Sequence, residues 1–267
     1  MKNRIEHKME QLKKQQEKAF ITYMTAGLAD MEGWKELIRA QEEAGTDVLE
    51  LGIPFSDPVA DGPIIQEASC KAIQQGVSLK KVFKMMEEIR TEGVEIPIIF
   101  MMYYNTIFYY GLEKFAAECI RCGVDGLIVP DLPLEEQGEL KNALKAEHGP
   151  ILIQSVFPVS LSRVPKILED ARGFVYCVSG LGAAGQSGGD YGESIRCLSA
   201  VKAVSPIPVM MGFEFCSPED VAPVKAVIDG VVSGSHFVRL MEACRYSPKK
   251  AGAYCSAFRQ QLNALQA

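Results

Sequence analysis

FITYMTAGLADMEGWKELIRAQEEAGTDVLELGI (20–53) reads as strand, helix, strand. Its two ends are rich in β-branched and aromatic residues. Between them Trp34, Leu37, Ile38 and Gln41 recur at helical spacing, and Gly45 stands where a helix takes a left-handed cap. The same alternation extends along the chain. Six further β-rich runs follow: IPIIFMMYY (96–104), VDGLIVPD (124–131), ILIQSVF (151–157), GFVYCVSG (173–180), PIPVMMG (206–212) and IDGVVSGS (228–235). LEKFAAECIRCG (112–123) supplies another helix, closed by Gly123. Strands alternating with helices form βαβ units and a parallel sheet. Eight such units in about 250 residues close into a barrel. The runner-up is an open doubly wound sheet, but no GxGxxG follows the first strand. The expected fold is therefore α/β, a (β/α)8 TIM barrel forming one domain over 1–267. An extra N-terminal helix at about 3–18 carries Ile5, Met9 and Leu12 on one face, placed to cover the barrel bottom.

Composition narrows the function. A net charge of −6 disfavours nucleic acid, whose phosphates need clustered Lys and Arg. No apolar run reaches the ~20 residues that cross a bilayer. The most apolar stretch, IPIIFMMYYNTIFYYG (96–111), is broken by Pro97 and Asn105. The charged opening MKNRIEHKMEQLKKQQEK reads as no secretory signal, so a cytoplasmic protein is expected. Disulfides are rare there, and most of the eight cysteines read as small buried apolar residues. Cys119 and Cys122 have CxxC spacing, but no second pair follows, and His7, His148 and His236 show no ligand spacing. No metal site is expected.

In a barrel the chemistry sits at the C-terminal strand ends. Three places stand out. In LELGIPFSDPVADGP (49–63), Glu50 interrupts an apolar strand. Alternation puts Val48, Glu50 and Gly52 on one face, and Leu49 and Leu51 on the other. If the leucines face the helices, Glu50 points into the barrel mouth. Desolvation there raises its pKa toward that of a general acid or base. The alternative is a glutamate paired with a buried arginine or held by backbone donors. Asp61, in the loop that follows, either holds a ligand N–H or serves the turn at Gly62-Pro63. Asp57 before Pro58 reads as turn chemistry. The second place is SGLGAAGQSGGDYG (179–192), a glycine-rich loop read either as a lid or as a surface loop. Its Gly185 could offer a backbone N–H to an anion. The third is VVSGSHFV (231–238), where Ser233-Gly234-Ser235 would present N–H groups at a helix start, with Gly212 of MGFEF (211–215) opposite. Together these favour a phosphorylated small substrate. No predicted strand carries a lysine for Schiff-base chemistry, and scarce histidine argues against a zinc aldolase. Carbon–carbon cleavage here would rest on carboxylate acid/base work.

LELGIPFSDPVADGPIIQ (49–66) resembles the signature segment of the tryptophan synthase α subunit family. FITYMTAG, PIIFMMYYN (97–105), VPDLP (129–133), VYCVSGLG (175–182) and VVSGSHFV extend the likeness over nearly the whole chain. The resemblance implies a (β/α)8 barrel that reversibly cleaves indole-3-glycerol phosphate to indole and glyceraldehyde 3-phosphate. It implies no cofactor of its own. The partner it implies is a PLP-dependent β subunit that receives the indole through a tunnel in an αββα complex. Carried over from the family, Glu50 is the acid and then the base, Asp61 accepts the indole N–H, and Tyr176 lies near the reacting centre. Gly185, Gly234 and Ser235 match phosphate-binding positions. Tyr23, Met101, Tyr103, Leu127 and Phe213 match the indole pocket. Asp57, Asn105 and Asp131 with Pro133 match loops that face the β subunit.

Two positions depart from the family pattern. Gly182-Ala183-Ala184-Gly185 stands where the family reads Gly-Val-Thr-Gly, so Ala184 cannot make the threonine's bond to the loop aspartate. One neutral hydrogen bond is worth about 0.5–1.5 kcal/mol, so closure should weaken rather than vanish. Gly212-Phe213-Glu214 stands for Gly-Phe-Gly, which puts a carboxylate near the phosphate. Three alternatives share much of this pattern. They are a stand-alone lyase releasing free indole, a non-catalytic α-like regulator of the β subunit, and another phosphate-binding barrel such as a sugar-phosphate isomerase.

Overall fold

The computed structural model describes residues 3–146, 149–178, 191–213 and 218–265. The chain opens with helix α1 (Arg4–Gln15), then β1 (Ala19–Thr25), α2 (Met31–Glu43), β2 (Val48–Gly52), α3 (Pro63–Gln74) and α4 (Leu79–Thr91). Next come β3 (Ile98–Met101), α5 (Tyr104–Tyr110), α6 (Leu112–Arg121), β4 (Gly126–Ile128) and α7 (Gly138–Ala143). The fifth run forms β5 (Ile151–Leu152) and β6 (Gln154–Val156), followed by α8 (Val164–Leu168), β7 (Val175–Val178) and α9 (Tyr191–Val204). Last are β8 (Val209–Phe213), β9 (Gly230–Ser233), α10 (Ser235–Ala243) and α11 (Pro248–Ala264).

All pairings are parallel, in the order β5-β4-β3-β2-β1-β9-β8-β7-β6. The two ends of that order are adjacent in the chain. β5 pairs with β4, β6 pairs with β7, and Ile153 between them donates its N–H to the Leu127 carbonyl at 2.9 Å. The ring therefore closes through one split strand, which rules out the open doubly wound sheet.

Strand alternation sorts the apolar residues into two layers. Ile21, Val48, Ile99, Ile128, Ile153 and Met210 fill the barrel interior. Leu49, Leu51, Phe100, Leu127 and Val231 pack outward among the helices. α1 closes the bottom as expected, since its Ile5, Met9 and Leu12 join the interior cluster. Asn3 caps α1 in a reciprocal capping box with Glu6. Ile5 fits because Gly126 and Gly173 are small: a Cβ at Gly126 would lie 2.8 Å from the Ile5 side chain, and one at Gly173 3.2 Å from it. Gly45 and Gly123 follow α2 and α6 with φ of 91° and 71°, the left-handed geometry a glycine cap supplies.

The run 96–104 is shorter as a strand than it reads. β3 stops at Met101, and a helix starts at Tyr104. The cause is distant in sequence: the Asp131 carboxylate accepts the Tyr104 N–H at 2.9 and 3.2 Å, an N-terminal cap supplied by the next loop. Cys119 and Cys122 lie buried in the α6 packing layer, where burial pushes the Cys122 thiol up to about 12.

A second pattern secures the N-terminal rim. Asp47, Asp125 and Asp229 each stand one residue before a strand. Their carboxylates accept the N–H groups of Phe20, Ile98 and Val209 at 2.8, 2.8 and 2.7 Å. Each is also matched by a cation from a surrounding helix: Arg259, Arg90 and Lys202. Phe174, at the equivalent place before β7, fills the interior instead.

Candidate active site

Glu50 is the third residue of β2, registered between Tyr23 on β1 and Ile99 on β3. Its flanking leucines face the helices, so its side chain enters the barrel. It is 1% exposed, and neither carboxylate oxygen has a hydrogen-bond partner among the described residues. Among those residues neither a buried arginine nor a backbone donor holds it. Burial alone pushes its carboxyl up to about 8.

Asp61 does both things its loop position allows. Its backbone closes a turn, N–H to Pro58 carbonyl at 3.0 Å. Its carboxyl turns inward, where burial pushes it up to about 6 against the opposing effect of a Tyr103 hydrogen bond. Tyr103 is the loop's anchor. Its hydroxyl accepts the Ala60 N–H at 3.0 Å, and its ring stacks on Phe55 at 5.1 Å.

Tyr176 on β7 completes the group. Burial raises its phenol well above the ordinary value, and the charges of Glu50 and Asp61 raise it further. Tyr23 is raised by burial and by the same two carboxylates. Thus Glu50, Asp61, Tyr23 and Tyr176 act on one another inside one mouth. Two glycines make room. A methyl on Gly52 would overlap the Tyr23 hydroxyl, and one on Gly212 would overlap the Tyr176 hydroxyl. Gly212 therefore shapes the aromatic wall, whatever else it does. Met101 packs against both the interior cluster and the group around Tyr23.

At the far side, Gly234 caps α10 with no side-chain bond to the first turn. Nothing lies within 4 Å of where its Cβ would sit, and Ser235 is half-buried. Open N–H groups at a helix start favour an anion. Ser233 does not share this role through its side chain: its hydroxyl lies 2.9 Å from that of Tyr254, in the outer layer.

Leu127 requires correction. It is fully buried in the outer layer, not in the mouth. Its neighbour Ile128 faces inward, because a one-residue shift along a strand reverses the face. Ile128, Ile153 and Phe55 are wall residues that the sequence reading missed. Alternation from Ile99 and Met101 signals the first. Gly185, the Ala184 lid and Glu214 lie outside the described residues, and of Phe213 only the backbone, at the end of β8, is described.

On the same rim Phe108 and Tyr109 of α5 are 65% and 92% exposed, and Val59 and Val159 also stand in solvent. Asn105 is exposed beside them, as is Asp57, which accepts the Ser56 hydroxyl at 2.6 Å.

A family model described as tryptophan synthase alpha chain matches residues 9–266. The chain belongs to that family. The tryptophan synthase alpha chain of Lachnospira eligens is 53% identical over 263 residues, covering 98% of this chain and 100% of the relative. The crystal structure of tryptophan synthase subunit alpha from Legionella pneumophila superposes with a TM-score of 0.88 at 33% identity, covering 99% and 100% of the two chains. A chain of the tryptophan synthase complex from Pyrococcus furiosus gives 0.79 at 30% identity, covering 92% and 98%. Membership in the tryptophan synthase alpha chain family makes this barrel a carbon–carbon lyase of tryptophan biosynthesis. Among its described residues no helix is long and apolar enough to cross a membrane.

Proposed function

We propose that this chain carries out the family's cleavage of indole-3-glycerol phosphate with Glu50 moving the proton. At neutral pH a carboxyl with a pKa of about 8 is protonated. Glu50 donates that proton to the indole carbon bearing the glycerol chain. The ring becomes an indolenine, and its positive charge is stabilised by Asp61, which accepts the ring N–H and whose carboxyl, at about 6, is ionised. The Glu50 carboxylate, now buried and unpaired, is a strong base. It takes the proton of the adjacent glycerol hydroxyl. The hydroxyl-bearing carbon becomes the aldehyde of glyceraldehyde 3-phosphate, and the carbon–carbon electron pair returns to the ring to release indole. Tyr23, Met101, Tyr103 and Tyr176 line the ring's place, with Ile128 taking the part expected of Leu127 and Phe213 the position at the end of β8. Gly234 and Ser235 receive the phosphate, with Gly212 opposite; Gly185, outside the described residues, is assigned a phosphate contact from the family alone. The observation that carries this reading is Glu50 itself, a buried carboxylate with no hydrogen-bond partner among the described residues.

The partner is the β subunit, in an αββα complex, and the exposed aromatic rim of α5 with the Asp57 and Asp131 loops is the face it covers. The family match over 9–266 supports a single barrel domain, and a biosynthetic enzyme of this kind works in the cytoplasm. Indole release by the purified chain, with and without its β subunit, tests the reading. Slow release that rises strongly with β is expected. Fast release indifferent to β would point to a stand-alone lyase, and none in either condition would leave a regulator or another substrate.

A further inference from the structure

A cavity of about 270 Å³ opens on the C-terminal rim over the split strand. It exists because the outer layer is thin there: α7 has 6 residues and α8 only 5. Pro130, Asp131, Leu134, Gln137, Gln154 and Phe157 are among its walls. Gln137 is 8% exposed. Its Nε2 donates to the Leu132 carbonyl at 3.3 Å, but its Oε1 is buried with no partner among the described residues. A buried acceptor left unmade costs about 1–3 kcal/mol, so it calls for a donor from outside the chain. The Asp131 carboxylate is a second acceptor in the wall, committed so far to one backbone N–H. The one cation among the described residues of the wall, Arg163, is neutralised by both oxygens of Glu135 at 2.5 and 2.6 Å. What remains open is acceptor chemistry above an apolar wall of Pro130, Leu134 and Phe157.

That combination suits a long apolar stem ending in a cationic donor. The pocket is continuous with the Asp131–Pro133 loop, so the inference rests on the β-subunit reading of that face. We propose that this pocket receives an arginine or lysine side chain of the β subunit, whose head group donates to Gln137 Oε1 beside Asp131. Gln137 is thus a partner-recognition residue, remote from the reacting groups.

Calorimetric titration of the cognate β subunit into wild type, Gln137→Met and Gln137→Glu tests this. Gln137→Met should weaken β binding about 10- to 100-fold. It should leave the isolated chain's slow indole release unchanged and its melting temperature unchanged or raised, since no orphan acceptor is then buried. Gln137→Glu keeps an acceptor, so it should restore binding and make it more salt-sensitive. Equal affinity of wild type and Gln137→Met overturns the proposal. So does a folded Gln137→Glu as weak as Gln137→Met, since pocket shape rather than hydrogen bonding would then set affinity. Absence of β binding by the wild type would overturn the partner reading itself, and this inference with it.

Discussion

A carboxylate inside a barrel mouth is a strained choice for stability and a useful one for proton transfer. Among the described residues Glu50 meets no counter-charge, so its burial favours the protonated form. The folded protein therefore holds that proton to about pH 8, while an unfolded glutamate loses it near 4.5. Because the folded-state pKa is the higher one, stability is fully present below about 4.5 and is lost as the pH rises through about 8. The expected slope is about 1.4 kcal/mol per pH unit across that window. Glu50→Gln should remove it. Urea unfolding from pH 5 to 9 should show the variant gaining on wild type as the pH rises, and parallel curves would refute the assigned burial. At this scale the sequence was informative where a residue broke a pattern. Glu50 among leucines announced its direction. Leu127 broke no pattern, and a likeness matched one position off the inward residue cannot reveal its own error. Only the register against Ile99 and Met101 separates it from Ile128.

Among elements, the eight strand runs and the sealing helix were legible because periodicity reports burial directly. The ends of elements were not. The start of α5 depends on a cap from Asp131, 27 residues on, and the fifth strand splits at a residue no more unusual than its neighbours. The aspartate ties at the N-terminal rim were also unread, although Gly45-Thr46-Asp47 and Gly123-Val124-Asp125 repeat one spacing. Their weight can be measured. Asp125 binds Arg90 at 2.7 Å, accepts the Ile98 N–H, and meets Arg4 of α1 at 3.2 Å. Asp125→Ala leaves the mostly buried Arg90 guanidinium without its counter-charge, a loss of about 3–5 kcal/mol. The urea midpoint should fall accordingly. Indole release at 25 °C by the fraction still folded should hold, because this rim lies at the opposite end of the barrel from Glu50. A loss below 1 kcal/mol would show the tie to be ornamental.

For the whole molecule, the barrel separates two tasks along its axis. The N-terminal rim, with α1 and the aspartate ties, holds the ring together. The C-terminal rim carries the proposed proton-transfer groups, the open start of α10, and the exposed face of α5 proposed to meet the partner. The central claim is that a buried, protonated Glu50 does the chemistry, and it is tested most directly by one comparison. The turnover number for indole release from indole-3-glycerol phosphate should be measured for wild type and Glu50→Gln, each saturated with β subunit. General acid–base catalysis contributes about 10²- to 10⁴-fold, and the account predicts a loss of that size with β binding intact. A Glu50→Gln enzyme within a few-fold of wild type would contradict it.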